Sequence, residues 1–201
     1  MRKVTLDELK QLALDVKQGI WNIAEAYCRE PKIYLHWTAG GYWQTFSDYH
    51  INITGDGDIY VSTDNLAETK SHTWKRNSGS IGIALCCASG AGSRSLGNYP
   101  PTAKQIEAMA QVINVIATAL DLTIDKERVM THGEAANNED GLRVHEPYAW
   151  WNDSYGDGDT RGDLEYLGTP ESPSYNPYAT DGSRGGDILR GKANWYRQQS
   201  K

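Results

Sequence analysis

The sequence predicts a mixed α/β fold: a single domain with a central mixed β-sheet flanked by helices, and an added helix at the N-terminus. Three observations predict it. Two segments carry apolar residues at helical spacing behind capping boxes. Short apolar or alternating runs with the period of strands lie between and after them. The length, 201 residues, suits one core that buries roughly 70% of the unfolded surface.

The elements follow in order. Thr5 and Glu8 stand three apart as hydroxyl and carboxylate of a capping box, and Leu6, Leu9, Ala13, Val16, Ile20, Ala24 and Tyr27 recur at helical spacing. A helix over Leu6 to Tyr27 results, ended before Pro31. Ile33-Tyr34-Leu35-His36-Trp37 is a short apolar run, read as a buried strand that Gly40-Gly41 breaks. Two alternating runs, Tyr49 to Thr54 and Asp58 to Ser62, flank Gly55-Asp56-Gly57 and read as a hairpin. Ser80 to Cys86 is another buried-strand candidate, followed by a Gly/Ser loop and Pro100-Pro101.

Thr102 with Gln105 opens a second capping box, and Ile106, Met109, Ala110, Ile113, Ala117 and Leu120 carry the second helix. Arg128 to Thr131 reads as a further short strand. From Gly133 to Gly186 the chain is rich in Gly, Asp, Asn, Pro, Trp and Tyr, and a loop-like stretch that long is either functional or conceals an unassigned element. A last helix spans Asp187 to Gln199. The organisation expected is a helical extension over 1–30 packed on one compact domain over 31–201.

Composition narrows the function. At 39% apolar and 23% charged residues the chain reads as an ordinary soluble protein, and no apolar run approaches the roughly 20 residues of a membrane span. The N-terminus lacks the apolar stretch of a classical signal peptide, so synthesis in the cytoplasm is expected. A net charge of −6 argues against holding nucleic acid or anionic lipid by bulk charge. Cys28, Cys86 and Cys87 are too few for a disulfide scaffold and read as reduced core thiols. Seven Trp and twelve Tyr against one Phe suit either a wet binding cleft or the pinning of loops, because each ring pairs a flat apolar face with a polar tip.

The chemistry concentrates on histidine. His36 and His132 both end strand candidates and face loops, a placement from which imidazoles converge on a metal. Two His and one carboxylate leave a fourth position for water, the pattern of a catalytic zinc site. Other zinc patterns fail. His132-Gly133-Glu134 forms an H-x-E triplet, but every cysteine lies upstream of it, which excludes the deaminase arrangement, and no H-E-x-x-H occurs. The Asp153–Asp159 stretch offers calcium ligands or simply a solvated loop.

In that order these pieces resemble zinc-dependent N-acetylmuramoyl-L-alanine amidases related to phage lysozyme-amidases and peptidoglycan recognition proteins: Ile33 to Gly40, Tyr49-His50-Ile51-Asn52-Ile53 before Asp56-Gly57, His72 and Asn77, Ser80 to Ile83, Pro101-Thr102, and Val129 to Glu134. The likeness spans Lys32 to Asp163, and Gly185 to Lys192 looks like prophage members of the group. The resemblance implies that fold, a Zn2+ ion on His36, His132 and Asp163, and cleavage of the amide between N-acetylmuramic acid and L-alanine by a zinc-activated water. Asp163 is chosen because it follows a basic residue by two, in Arg161-Gly162-Asp163; Asp157, Asp159 and His145 are the alternatives.

The resemblance further implies that Tyr49 orients the water or moves a proton and that Arg161 steadies the oxyanion. It makes Glu134 an orienter of an imidazole or a surrogate base, and it puts Trp37, His72 and Asn77 against substrate. His50 is either part of that site or hairpin packing. Where many members carry a glutamate after the Ser-Ile-Gly-Ile strand, this chain has Ala84, which is the support for an alternative: a peptidoglycan-binding module that does not hydrolyse. A third option is an amidase acting on another amide, as in muropeptide recycling. The partner implied is peptidoglycan or a muropeptide, met by a monomer, with no nucleic acid and no membrane insertion, after release as a phage lysin, as a recycling enzyme or as an injected effector.

Overall fold

In the computed structural model, which describes residues 1–136 and 162–201, the strands form one six-stranded mixed sheet. They are β1 (Arg2–Val4), β2 (Lys32–Trp37), β3 (Ile51–Ile53), β4 (Ile59–Val61), β5 (Ser80–Leu85) and β6 (Val129–Thr131). Their order across the sheet is β1-β4-β3-β5-β2-β6. β1, β4 and β3 pair antiparallel, while β3, β5, β2 and β6 run parallel. The helices are α1 (Leu6–Ala26), α2 (Ala103–Ala119), α3 (His132–Ala136) and α4 (Gly185–Gln199). The mixed sheet flanked by helices is the class the sequence predicts.

Both capping boxes form. Thr5 accepts from the Glu8 amide and Glu8 from the Thr5 amide, and Thr102 and Gln105 do the same. Such a cap contributes about 1 kcal/mol to each helix. Gln105 also donates to the Ile53 and Cys86 carbonyls, tying the start of α2 to two strand ends.

Alternation divides the sheet into two faces. Ile33, Leu35, Trp37, Ile51, Ile53, Ile81, Ile83 and Leu85 join the main core with α1, α2 and α4 residues such as Leu9, Ile20, Met109, Ile113 and Leu189. The opposite face takes the intervening residues. Tyr34 packs there with Met130 and Ala135 in a smaller cluster, and His36, two residues on from Tyr34, shares that face.

Three features depart from the sequence reading. β1, only three residues long, is too short for a periodicity signal, yet it extends the sheet at the β4 edge. α3 gives His132–Ala136 one helical turn where a loop was expected. Cys86 and Cys87 are buried as expected of core thiols, but Cys28 is exposed, at a left-handed φ of 57° just past the end of α1. Arg161, His145, Asp157, Asp159 and the Asp153–Asp159 stretch lie outside the described residues.

Candidate metal centre

The site grows out of strand register. β2 and β6 are parallel neighbours with Leu35 opposite Thr131, so the next residue of each chain segment, His36 and His132, emerges side by side at the C-terminal edge of the sheet. Their rings stand 4.9 Å apart, edge to face. Asp163 reaches the same point from a segment 31 residues beyond His132, its Oδ2 lying 3.4 Å from His132 Nδ1 and 3.4 Å from His36 Nδ1. Among the described residues these three are the one group whose ligand atoms cluster closely enough to hold a metal ion.

The distances fit an ion better than a network of direct hydrogen bonds. At 3.4 Å the nitrogen-to-oxygen separations exceed the usual 2.7–3.2 Å. A tetrahedral zinc with bonds of roughly 2.0–2.1 Å holds its ligand atoms about 3.3 Å apart. His36 is wholly buried, and its Nδ1 has no good hydrogen-bond partner. The donor set, two imidazoles and a carboxylate, is one that zinc takes in catalytic sites.

Electrostatics favours a neutral His36 and an ionised Asp163, the charge states a metal needs of them. Burial pushes the His36 imidazole down to about 4, against a smaller upward pull from Asp163, so it is neutral at pH 7. Burial alone raises Asp163, but the two adjacent imidazoles outweigh it and its carboxyl sits below its ordinary value.

Behind His36 runs a chain of polar contacts. His36 Nε2 lies 3.3 Å from both Thr73 Oγ1 and His72 Nδ1, and Thr73 Oγ1 is 2.8 Å from His72 Nδ1. His72 Nε2 is 3.4 Å from Ser80 Oγ, which donates to the Asn77 carbonyl at 2.9 Å. One set of proton positions forms a continuous relay through Thr73: His36 Nε2–H to Thr73, Thr73 O–H to His72 Nδ1, His72 Nε2–H to Ser80. That set leaves His36 Nδ1 as a lone pair facing Asp163 and His132, the tautomer of a ligand.

A cavity of about 290 Å³ opens over the cluster, lined by Trp37, Thr38, Ala39, Phe46, Asp48, Tyr49, Ser71, His72, His132 and Asp163. Of the residues expected at the site, Trp37, Tyr49 and His72 stand in this wall. The Tyr49 ring lies 5.0 Å from that of His36, with its hydroxyl 3.4 Å from the Trp37 carbonyl. Asn77 does not line the cavity. Its Oδ1 accepts from the His72 and Thr73 amides at 3.0 and 2.8 Å, building the turn that presents those two side chains. His50 is also behind the wall, its Nε2 2.6 Å from the Glu68 carbonyl and its Nδ1 accepting from the Gly82 amide.

Glu134 is fully buried and faces a different partner. Arg190 Nη1 sits 3.0 Å from both of its oxygens, and the Thr131 amide donates to Oε1. Ala84 is buried in β5 between His36 of β2 and Asn52 of β3, so no carboxylate stands at that position. Sequence reasoning missed Asp48, Ser71 and Thr73. Asp48 directly precedes the Tyr49-His50 pair and Thr73 directly follows His72, so adjacency was the available signal.

Comparison with known proteins places the chain. Residues 26–144 match the Amidase_2 family, described as N-acetylmuramoyl-L-alanine amidase, a segment that holds His36 and His132 but ends before Asp163. No curated protein matches. Among solved structures, similarity is found to the endolysin amidase LysCS from Clostridium intestinale URNW, at 18% identity, 52% of this chain, 70% of that chain and a TM-score of 0.39. The Ph2119 endolysin of a Thermus scotoductus MAT2119 bacteriophage gives 20%, 52%, 73% and 0.41. The amidase LysC from Clostridium intestinale URNW gives 17%, 61%, 85% and 0.40.

Proposed function

The chain belongs to the N-acetylmuramoyl-L-alanine amidase family and is a peptidoglycan amide hydrolase, and on that premise we propose that a zinc ion held by His36, His132 and Asp163 serves the reaction. The observation that carries this reading is the pair of 3.4 Å separations from Asp163 Oδ2 to the two imidazole Nδ1 atoms. Zinc bound there supplies a Lewis acid for the scissile carbonyl and a water whose pKa falls toward about 7.

The remaining chemistry belongs to side chains. His36 and His132 would hold the ion through their Nδ1 atoms, and Asp163 through its carboxylate. Asp48 and Tyr49 in the cavity wall are the groups placed to take up or return a proton, with Tyr49 assigned the orienting or proton-moving role. Arg161, outside the described residues, is assigned to the oxyanion, because a guanidinium stabilises negative charge but does not shuttle protons near neutral pH. Trp37 and His72 form substrate wall, while Asn77 acts through His72 and Glu134 through the backbone of β6.

Ala84 favours the alternative of binding without hydrolysis; the assembled ligand set favours hydrolysis. We assign residues 31–201 to the amidase domain with 1–30 packed on it, acting as a monomer on muropeptides or intact wall. The proposed setting is a phage or prophage lysin that reaches the wall after release. No described helix is long and apolar enough to cross a membrane.

Incubating zinc-loaded protein with muropeptides tests the reading. Free stem peptide should appear, purified protein should hold close to one zinc, and His36→Ala should lose both. A metal-free, folded and active wild type would end the zinc assignment, and a zinc-loaded protein that binds muropeptides without releasing stem peptide would favour the binding module.

A further inference from the structure

Asp163 lies beyond the segment that matches the family, and so does α4. We propose that Arg184 and Arg190, at the start of α4, are positioning residues for the metal centre that set His132 and Asp163 at ligating distance; this rests on the zinc reading above.

The argument begins with Thr131 and Glu165. Thr131 precedes the ligand His132, Glu165 follows the ligand Asp163 by two, and the Thr131 hydroxyl donates to Glu165 Oε1 at 2.7 Å. That bond joins the two ligand-bearing segments, and both of its partners are buried. α4 fixes each side of it. Arg184 Nε donates to Glu165 Oε2 at 2.9 Å with Nη2 at 2.8 Å from the same oxygen, and the Gly185 amide donates to the Glu165 carbonyl. Arg190 Nη1 donates to Glu134 and to the Val129 carbonyl at 3.0 Å, while Glu134 in turn accepts from the Thr131 amide.

The backbone agrees with this reading. Leu164, between ligand and anchor, is held at a left-handed φ of 59°, which a side chain-bearing residue adopts only when its surroundings enforce it. This conformation lets Asp163 face the imidazoles while Glu165 faces Arg184. Two consecutive glycines make room for the contact: a Cβ on Gly185 would collide with the Leu164 carbonyl, and one on Gly186 with the Glu134 carboxylate. Removing a side chain that orients a metal ligand lowers metal affinity by about 10- to 100-fold in known sites.

The test measures zinc affinity by competition with a chromophoric chelator in the full chain. Arg184→Gln and Arg190→Gln should each weaken zinc binding by about 10- to 100-fold, with Arg184→Lys between wild type and Arg184→Gln. Arg128→Gln, which breaks the ion pair with Glu30, should leave affinity unchanged. Arg184→Gln combined with Glu165→Gln should cost little more than either alone, since the two act through one contact. Folded variants that bind zinc as tightly as wild type overturn the inference. Should a variant fail to fold, hydrogen exchange on wild type decides: zinc should slow the Gly185 amide more than amides of α1, and equal slowing overturns it. A wild type that binds no zinc would instead overturn the metal reading itself.

Discussion

Gly82 leaves the space that the His72 ring occupies: a Cβ at Gly82 would stand 2.7 Å from His72 Cγ. The ring can therefore approach β5 closely and reach both Thr73 and Ser80. Both residues are firmly placed, Gly82 by its strand pairing with Tyr34 and His72 by the Asn77 turn. Gly82→Ala should destabilise the fold by about 1–3 kcal/mol through overpacking and should also weaken zinc binding, because the displaced ring takes the His36 support with it. Thermal unfolding with and without zinc checks both; an alanine variant with wild-type stability would mean the ring moves aside freely.

The support for His36 has its own test. Thr73→Val keeps the shape of the side chain and removes the hydroxyl that links His36 Nε2 to His72 Nδ1. Zinc affinity should fall by about 10- to 100-fold, with Thr73→Ser restoring most of it. Chelator competition on the folded variants reads the difference. Equal affinity in valine and threonine forms would assign the tautomer to some other contact.

Tyr49 separates proton handling from metal binding. Its ring packs beside His36, and that packing survives in phenylalanine. Tyr49→Phe should lower turnover by roughly 10²-fold if the hydroxyl takes part in proton transfer, while zinc content stays at the wild-type level. Unchanged turnover would leave Tyr49 as a wall residue and turn attention to Asp48.

How much of this was legible in the chain depends on range. Thr5 with Glu8 and Thr102 with Gln105 marked the helix starts because a cap is a contact over three residues. His36 and His132 were legible as strand-end imidazoles, and their adjacency required only that β2 and β6 be parallel neighbours. The role of Asn77 was not legible: an amide capping the His72 and Thr73 amides and one touching substrate look alike in sequence. Nor was Glu134, whose partner Arg190 comes from a helix 56 residues away. Such pairings are decided by tertiary packing, for which no local period exists.

His50 provides a pH test at a residue outside the ligand set. Burial pushes its imidazole down to about 4, with Lys70 and His36 adding to the fall and the Glu68 carbonyl opposing it. The neutral ring is satisfied by that carbonyl and by the Gly82 amide, with the His72 ring 5.6 Å away. In the unfolded chain the group titrates near 6.5. Between those values the unfolded state binds a proton that the folded state refuses, so stability is lost as pH falls from about 6.5 toward 4 and regained as it rises. His36 and His72 are lowered as well, and in metal-free protein they contribute with the same sign, so the His50 part is read as a difference. Urea unfolding of metal-free wild type and His50→Gln across pH 4.5–7.5 should show a shallower slope in the variant. One proton corresponds to about 1.4 kcal/mol per pH unit at full difference. Parallel slopes in the two proteins would mean that His50 accepts its proton as readily folded as unfolded.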